Sequence, residues 1–109
     1  MNLSNSKNTL LFEINNRNNF RNSLDEIQKN IKEKNIIIDF IELDFDEFFE
    51  DLNNLFKKSK KNNRSFVIIN SDFRSEYYNL SIDIVPSLQE AIDIIEIEEI
   101  ERDLGLLWN

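Results

Sequence analysis

The stretch SFVIINSDFRSEYYNLSIDIVPSLQEAIDIIEIEEIERDLG, residues 65–105, decides the fold class of this 109-residue chain. Its apolar run Ser65–Asn70 predicts a strand, and a second run, Ile82–Val85, predicts another strand that stops at Pro86. A long helical pattern follows the proline. Strand and helix patterns that alternate along a chain are typical of an α/β sandwich whose strands run mainly parallel.

The last helix has a defined beginning and end in the sequence. Ser87 and Glu90 form a Ser-x-x-Glu capping box at its start, and Gly105, the only glycine, follows its end. Five apolar residues predict the face that contacts the sheet, with Ile100 near its edge: Leu88, Ala91, Ile92, Ile95 and Leu104. Ile94 and Ile97 are expected outside that face, so the helix has more apolar width than one sheet contact needs.

The sequence before residue 65 repeats the alternation of strand and helix. Thr9–Ile14 predicts the first strand, and a helical apolar spacing follows it as far as about Lys34. Ile36–Ile41 is a nearly continuous apolar run, typical of a parallel strand buried on both faces. Asp46–Phe56 predicts the second helix, and Ser75–Tyr78 predicts one short helical turn before the last strand.

These elements predict the domain organisation as well as the fold class. The order β-α-β-α-β-(α)-β-α indicates an α/β fold with a mixed, mainly parallel four-stranded sheet and interspersed helices. We expect residues 1–8 to be a flexible N-terminus and residues 9–109 to form a single domain.

Two residue types are missing from the whole chain, which has no histidine and no cysteine. The usual zinc and transition-metal sites and the Ser-His and Cys-His nucleophile pairs need one of them. We therefore expect no catalytic residues, no bound metal and no cofactor. The lack of cysteine also fits a cytoplasmic location.

The charge and the hydropathy pattern predict the kind of partner. A formal net charge of −8 is unfavourable for binding a nucleic-acid backbone. No segment approaches the roughly 18 apolar residues that span a membrane, and no signal-peptide pattern follows Met1. The expected partner is another protein with a basic surface, and a homodimer closed through the last helix remains an alternative.

Acids cluster where the second helix begins, and they allow a catalytic alternative. Asp44, Asp46 and Glu47 are carboxylates of the type that Mg²⁺ prefers, so a magnesium-dependent enzyme is the runner-up interpretation. Acids in the first turn of a helix are also explained by the helix dipole alone, and we favour that explanation.

Several of these elements occur in an order that a known family shares. They are the strand Ile36–Ile41 with Asp39, the helix Asp46–Phe56, the basic turn Lys57–Arg64, the strand Phe66–Asn70, and the segments Val85-Pro86-Ser87 and Glu90-Ala91. This pattern, over roughly residues 9–97, resembles the STAS domain, the family of anti-sigma-factor antagonists and related partner-binding modules. The resemblance implies a STAS-like sandwich that regulates another protein by binding it.

One motif of that family is missing here. Members regulated by phosphorylation carry Asp-Ser-Ser/Thr-Gly at the start of the helix after the buried strand, whereas this chain has Phe45-Asp46-Glu47-Phe48-Phe49. Asp46 and Glu47 thus lie in a degenerate phospho-site region, where we expect no serine switch. One hypothesis is that their charge mimics a phosphate permanently.

The C-terminal part of the chain, residues 85–105, has a second resemblance. It is similar to small Bacteroidota proteins, some of which are catalogued as ribonuclease Z. That enzyme needs a histidine-rich metal motif, which a chain without histidine lacks. The resemblance therefore implies at most an accessory subunit beside that tRNA-processing enzyme.

The expected partner-binding surface is the acidic last helix. Apolar anchors surrounded by charges are typical of protein interfaces, and acids attract a basic partner. The residues expected in that surface are Ile94, Ile97, Glu98, Glu101 and Trp108.

Overall fold

The structure, a computed structural model, describes residues 8–41, 43, 45–71 and 81–105. Strands and helices alternate along this part of the chain: β1 Thr9–Ile14, α1 Arg17–Asn30, β2 Asn35–Phe40, α2 Phe49–Lys61, β3 Phe66–Ile69, β4 Asp83–Val85 and α3 Leu88–Asp103. The strand that we predicted at residues 82–85 and the helix that we predicted after Ser87 are both present. The expected turn Ser75–Tyr78 and the first seven residues of the expected flexible N-terminus lie outside the described residues.

The four strands form one sheet in the order β1-β2-β3-β4, and each neighbouring pair is parallel. Ile37 in β2 pairs with Leu11 on one side and with Val67 on the other. The predicted α/β fold with a mainly parallel four-stranded sheet is confirmed. Every strand pair in the described residues is parallel.

The helices cover the two faces of the sheet unequally. α1 and α2 pack on one face around a large apolar core that includes Ile36, Ile38 and Phe40. α3 packs on the opposite face, against Ile37 and Val67. Successive right-handed crossovers that step across the sheet in one direction place their helices on the same face. α3 follows the last strand, so no crossover fixes its side, and it covers the other face.

Aromatic packing shapes the start of the second helix. The rings of Phe20 and Phe48 stack with centroids 4.3 Å apart, and Phe48 lies within a one-turn 3₁₀ helix, Asp46–Phe48. The α-helix itself begins at Phe49, later than the predicted start at Asp46, and continues to Lys61. The buried ring of Phe48 holds the tighter turn in place, which the apolar spacing alone did not indicate.

The first helix ends earlier than its apolar spacing predicts. It stops at Asn30 instead of near Lys34. A turn follows, in which the Asn30 carbonyl accepts hydrogen bonds from the amides of Glu33 and Lys34. Ile31 nevertheless remains buried in the core. No helix in the described ranges is both long and apolar enough to cross a membrane.

Candidate functional site

The beginning of α3 is fixed by its predicted cap. The Ser87 side chain accepts a hydrogen bond from the Glu90 amide at 3.3 Å, and its hydroxyl donates to the Glu90 carboxylate at 3.0 Å. From there the first half of the helix buries Ala91, Ile92 and Ile95 against the sheet. This half of the inner face agrees with the sequence prediction.

The second half of the same face is polar. At four and seven residues after Ile95 come Glu99 and Arg102, which are on the side that faces the sheet. The carboxylate of Glu99 accepts a hydrogen bond from the buried Asn35 side chain at the amino end of β2. Arg102 donates to Asn35 Oδ1 at 3.3 Å and to Ser65 Oγ at 3.0 Å. The helix end is therefore held to the sheet by hydrogen bonds instead of apolar contact.

Glu98 belongs to this internal cluster, which corrects our expectation that it borders an exposed docking surface. Its side chain is 15% exposed and lies 4.0 Å from Arg102, which is 11% exposed. The Glu98 carboxylate also accepts a hydrogen bond from the buried Ser65 hydroxyl. A carboxylate held in this way links α3 to the sheet.

A further acid faces the same cluster from the sheet. Asp83 begins β4, and burial raises the pKa of its carboxyl group above the ordinary value of 3.8. The neighbouring Glu98 carboxylate raises this pKa as well, and the Lys60 ammonium lowers it. Repulsion between Asp83 and Glu98 is thus partly relieved by two nearby cations, Lys60 and Arg102.

The outer face of α3 carries an exposed apolar stripe formed by Ile97, Ile100 and Leu104. These side chains are 55%, 59% and 66% exposed, respectively. Their spacing of three and four residues places them along one face of the helix, opposite the buried Ala91, Ile92 and Ile95. We call this surface the outer stripe.

Acids flank the outer stripe on both sides. Helical geometry places Glu96 and Asp103 along one flank and Glu101 along the other. Within the described part of the chain, the carboxylates of these three residues make no hydrogen bond or ion pair with another side chain. Arg102, the only basic residue of α3, is on the inner face, so the outer face of this helix is apolar and acidic.

The structure changes the set of residues expected in this surface. Ile97 is exposed as predicted, and Glu101 is half-buried at its edge. Ile94 is also half-buried, but it packs against the core beneath α3, which corrects its expected place outside that contact. Trp108 lies outside the described residues.

The sequence interpretation placed Leu104 on the inner face, and this was wrong. Leu104 is nine residues after Ile95, which is two and a half helical turns and hence the opposite side of the helix. The same spacing rule applied from Ile95 would have found Arg102 as an inner residue. Asn35 and Ser65 gave a weaker signal, as polar residues next to the apolar runs of β2 and β3.

The acids at the start of the second helix do not form a compact cluster in the described residues. Glu47 accepts a hydrogen bond from Arg17 Nε at 2.9 Å, in an exposed ion pair. Asp46 is exposed on the 3₁₀ turn, and Asp44 lies outside the described residues. No three His, Cys, Asp or Glu side chains in the described part of the chain come close enough together to hold a metal ion.

The carboxyl ends of the strands are the usual place for a ligand in an open α/β sheet, and an open hollow of about 880 Å³ lies there. It is lined by Asn15, Asn16, Arg17, Asn18, Asn19, Asn22 and Leu43. Asn16 Oδ1 accepts from the Asn19 amide at 2.8 Å, and Asn19 Oδ1 accepts from the Asn15 amide at 3.1 Å. These side chains therefore cap α1 instead of converging on a ligand.

Comparisons with known proteins add no relative to this description. No protein-family model, no curated protein and no solved structure gives a significant match to the chain.

Proposed function

We propose that this protein is a non-catalytic, STAS-type regulatory module that binds another protein through the outer face of α3. The observation that carries the proposal is the outer stripe, where Ile97, Ile100 and Leu104 are each more than half exposed. Exposed apolar side chains grouped on one face of a helix mark a surface that another molecule covers. The acids around them supply the polar border that protein interfaces commonly have.

Binding is better supported than the magnesium-dependent alternative. Glu47, one of the acids of that alternative, is paired with Arg17 at 2.9 Å. The second carboxylate, Asp46, is exposed on the same 3₁₀ turn. By contrast, the exposed stripe is an arrangement that binding requires and that catalysis does not.

The STAS type of the module is supported by the order of its elements. A parallel four-stranded sheet with alternating helices agrees with that resemblance. Glu47 occupies the place of the family's phosphorylated residue and pairs with Arg17, as a phosphate would. We therefore include a permanently charged turn, without a serine switch, in the proposal. We also place the module in the cytoplasm, consistent with its lack of cysteine.

The test compares the parent chain with two variants in a quantitative capture experiment from cells that express the protein. Ile97→Ser with Ile100→Ser removes two exposed apolar side chains of the outer stripe. Ile41→Ser is the matched control, because Ile41 is 39% exposed and lies at the end of β2, away from α3. A protein that binds through the stripe is captured by the parent and by the control and is lost from the double variant.

Purified components then establish that the interaction is direct. The captured protein should bind the parent in a defined ratio by calorimetry, and the double variant should bind at least about tenfold more weakly, as for the loss of interface anchors. Identical captured proteins from all three chains would contradict the proposal, provided that circular dichroism shows each of them folded.

A further inference from the structure

The geometry of the outer stripe limits the shape of a partner that can bind there. Ile97, Ile100 and Leu104 follow a spacing of three and then four residues, the repeat with which two helices pack side by side. Leu104 lies seven residues after Ile97, so the stripe is about 10 Å long at a rise of about 1.5 Å per residue. A stripe of that length fits the side of one partner helix.

The charge of the outer stripe limits which side chains a partner can use to bind it. Glu96 and Asp103 lie along one flank and Glu101 along the other, and their carboxylates have no side-chain partner in the described residues. Arg102 is turned to the sheet, where it bonds to Ser65. Thus the partner must supply both the apolar contacts and the positive charges.

A second copy of the chain does not meet these requirements. Two outer stripes facing each other would bring their acidic flanks together, and like charges in contact oppose binding. Three lysines, Lys32, Lys58 and Lys61, instead line a hollow beside α1 and α2. Among the described residues, the exposed large apolar side chains are those of the stripe and Ile41, so this basic region offers no apolar anchors of its own. An anionic lipid surface would likewise be repelled by the acids.

We infer that the outer stripe binds a basic amphipathic helix, with apolar residues at alternating spacings of three and four and with Lys or Arg on both sides of them. This inference rests on the proposed docking function of α3 and names the chemistry of its partner. The apolar residues of that helix pack on Ile97, Ile100 and Leu104, and its cations lie beside Glu96, Glu101 and Asp103.

The probe is a synthetic helical peptide of about 14 residues, or about four turns, with Leu at spacings of three and four and Lys on either side. One control peptide has Glu in place of every Lys, and a second has the composition of the probe in an order that breaks the spacing. The expected result is that the probe shifts the amide signals of residues 96–104 in heteronuclear NMR spectra. The two control peptides should leave those signals in place.

Two charge-reversal variants test the role of the acids. Glu96→Lys with Glu101→Lys reverses both flanks of the stripe, and Asp25→Lys with Glu26→Lys makes the same change in net charge on the exposed side of α1. We expect the first variant to weaken binding of the probe by about tenfold or more and the second to change it by less than about threefold. Higher salt should weaken binding to the parent and hardly affect binding to the first variant.

Three outcomes with the peptides or with the chain alone would overturn the inference. One is equal binding of the lysine and glutamate peptides, and another is an equal loss of affinity in both reversal variants. The third is sedimentation of the chain as a dimer that Ile97→Ser with Ile100→Ser dissociates, because the occupant would then be a second copy. A natural partner that needs Ile97 and Ile100 but tolerates the reversal of Glu96 and Glu101 overturns the basic helix alone and leaves the docking function standing. Loss of the docking function itself would instead appear as identical captured proteins from all variants.

Discussion

Arg102 affects the charge of the outer face of α3, although its side chain is on the inner face. It is the only cation of α3, and its guanidinium group donates to Ser65 at 3.0 Å and to Asn35 at 3.3 Å. The Arg102 side chain is 11% exposed, so its charge lies inside the molecule, next to the Glu98 carboxylate. The outer face of the helix is left with acids, the property on which the proposed binding of a basic partner depends.

The cluster around Arg102 should contribute measurably to stability. Arg102→Met keeps most of the aliphatic stem but removes the hydrogen bonds to Ser65 and Asn35. We expect the free energy of unfolding, measured by urea denaturation, to fall by about 1.5–3 kcal/mol, as for hydrogen bonds to a charged group. Adding Glu98→Gln should recover part of this loss, because it removes the repulsion between the Glu98 and Asp83 carboxylates, which Arg102 then no longer offsets.

The control for this prediction is Arg21→Met, on the exposed side of α1. It should change the free energy of unfolding by about 0.5 kcal/mol or less. If Arg102→Met is no more destabilising than Arg21→Met, the hydrogen bonds of Arg102 do not hold the end of α3 to the sheet.

Helix α3 has an inner apolar surface and an outer one, and the sequence predicted the inner surface better than the outer one. The strands and their parallel order could be predicted because runs such as Ile36–Ile41 are apolar on both faces, as is typical of buried parallel strands. The inner contact at Ala91, Ile92 and Ile95 followed from helical spacing. The isoleucines continue around the helix, so apolarity alone could not separate the inner residues from the outer ones. The helical angle from Ile95 separates them. What the sequence did not indicate is that the inner face becomes polar where the sheet ends, at Asn35 and Ser65, because strand boundaries are set by the pairing of distant segments.

The two surfaces of α3 should respond differently to the same substitution. Ile95 is 4% exposed and Ile97 is 55% exposed, although both belong to the same helix. Ile95→Ala leaves a cavity beneath the helix and should lower the free energy of unfolding by about 2–5 kcal/mol. Ile97→Ala should change it by about 0.5 kcal/mol or less. Similar losses for the two variants, measured by thermal and urea denaturation, would mean that α3 has no distinct outer face.

At the scale of the whole molecule, acids oppose each other in two places in the sheet. The net charge is −8, and carboxylates meet at both ends of the sheet. Glu13 and Asp39 are paired directly across β1 and β2, and Asp83 lies near Glu98 at the start of β4. Burial, followed by the charge of Glu13, raises the pKa of Asp39 above its ordinary value of 3.8. Like charges opposite each other in a sheet are destabilising, so both acids oppose folding when they are ionised.

The stability of the fold should therefore depend on pH in a defined direction. A carboxyl group whose pKa is raised on folding binds its proton more tightly in the folded chain than in the unfolded chain. Its favourable contribution to the free energy of unfolding is therefore complete below pH 3.8, and it is lost as the pH rises through the raised pKa. Asp39→Asn with Asp83→Asn should make the chain more stable than the parent at pH 7, and this gain should shrink as the pH is lowered toward 4. Urea denaturation across that range gives the free energies.

The control, Asp25→Asn with Asp51→Asn, removes the same number of charges from exposed positions on α1 and α2. It therefore separates a general effect of the net charge from the local effect of Asp39 and Asp83. An equal gain in both double variants would assign the pH dependence to the net charge of −8 and not to the two acids in the sheet.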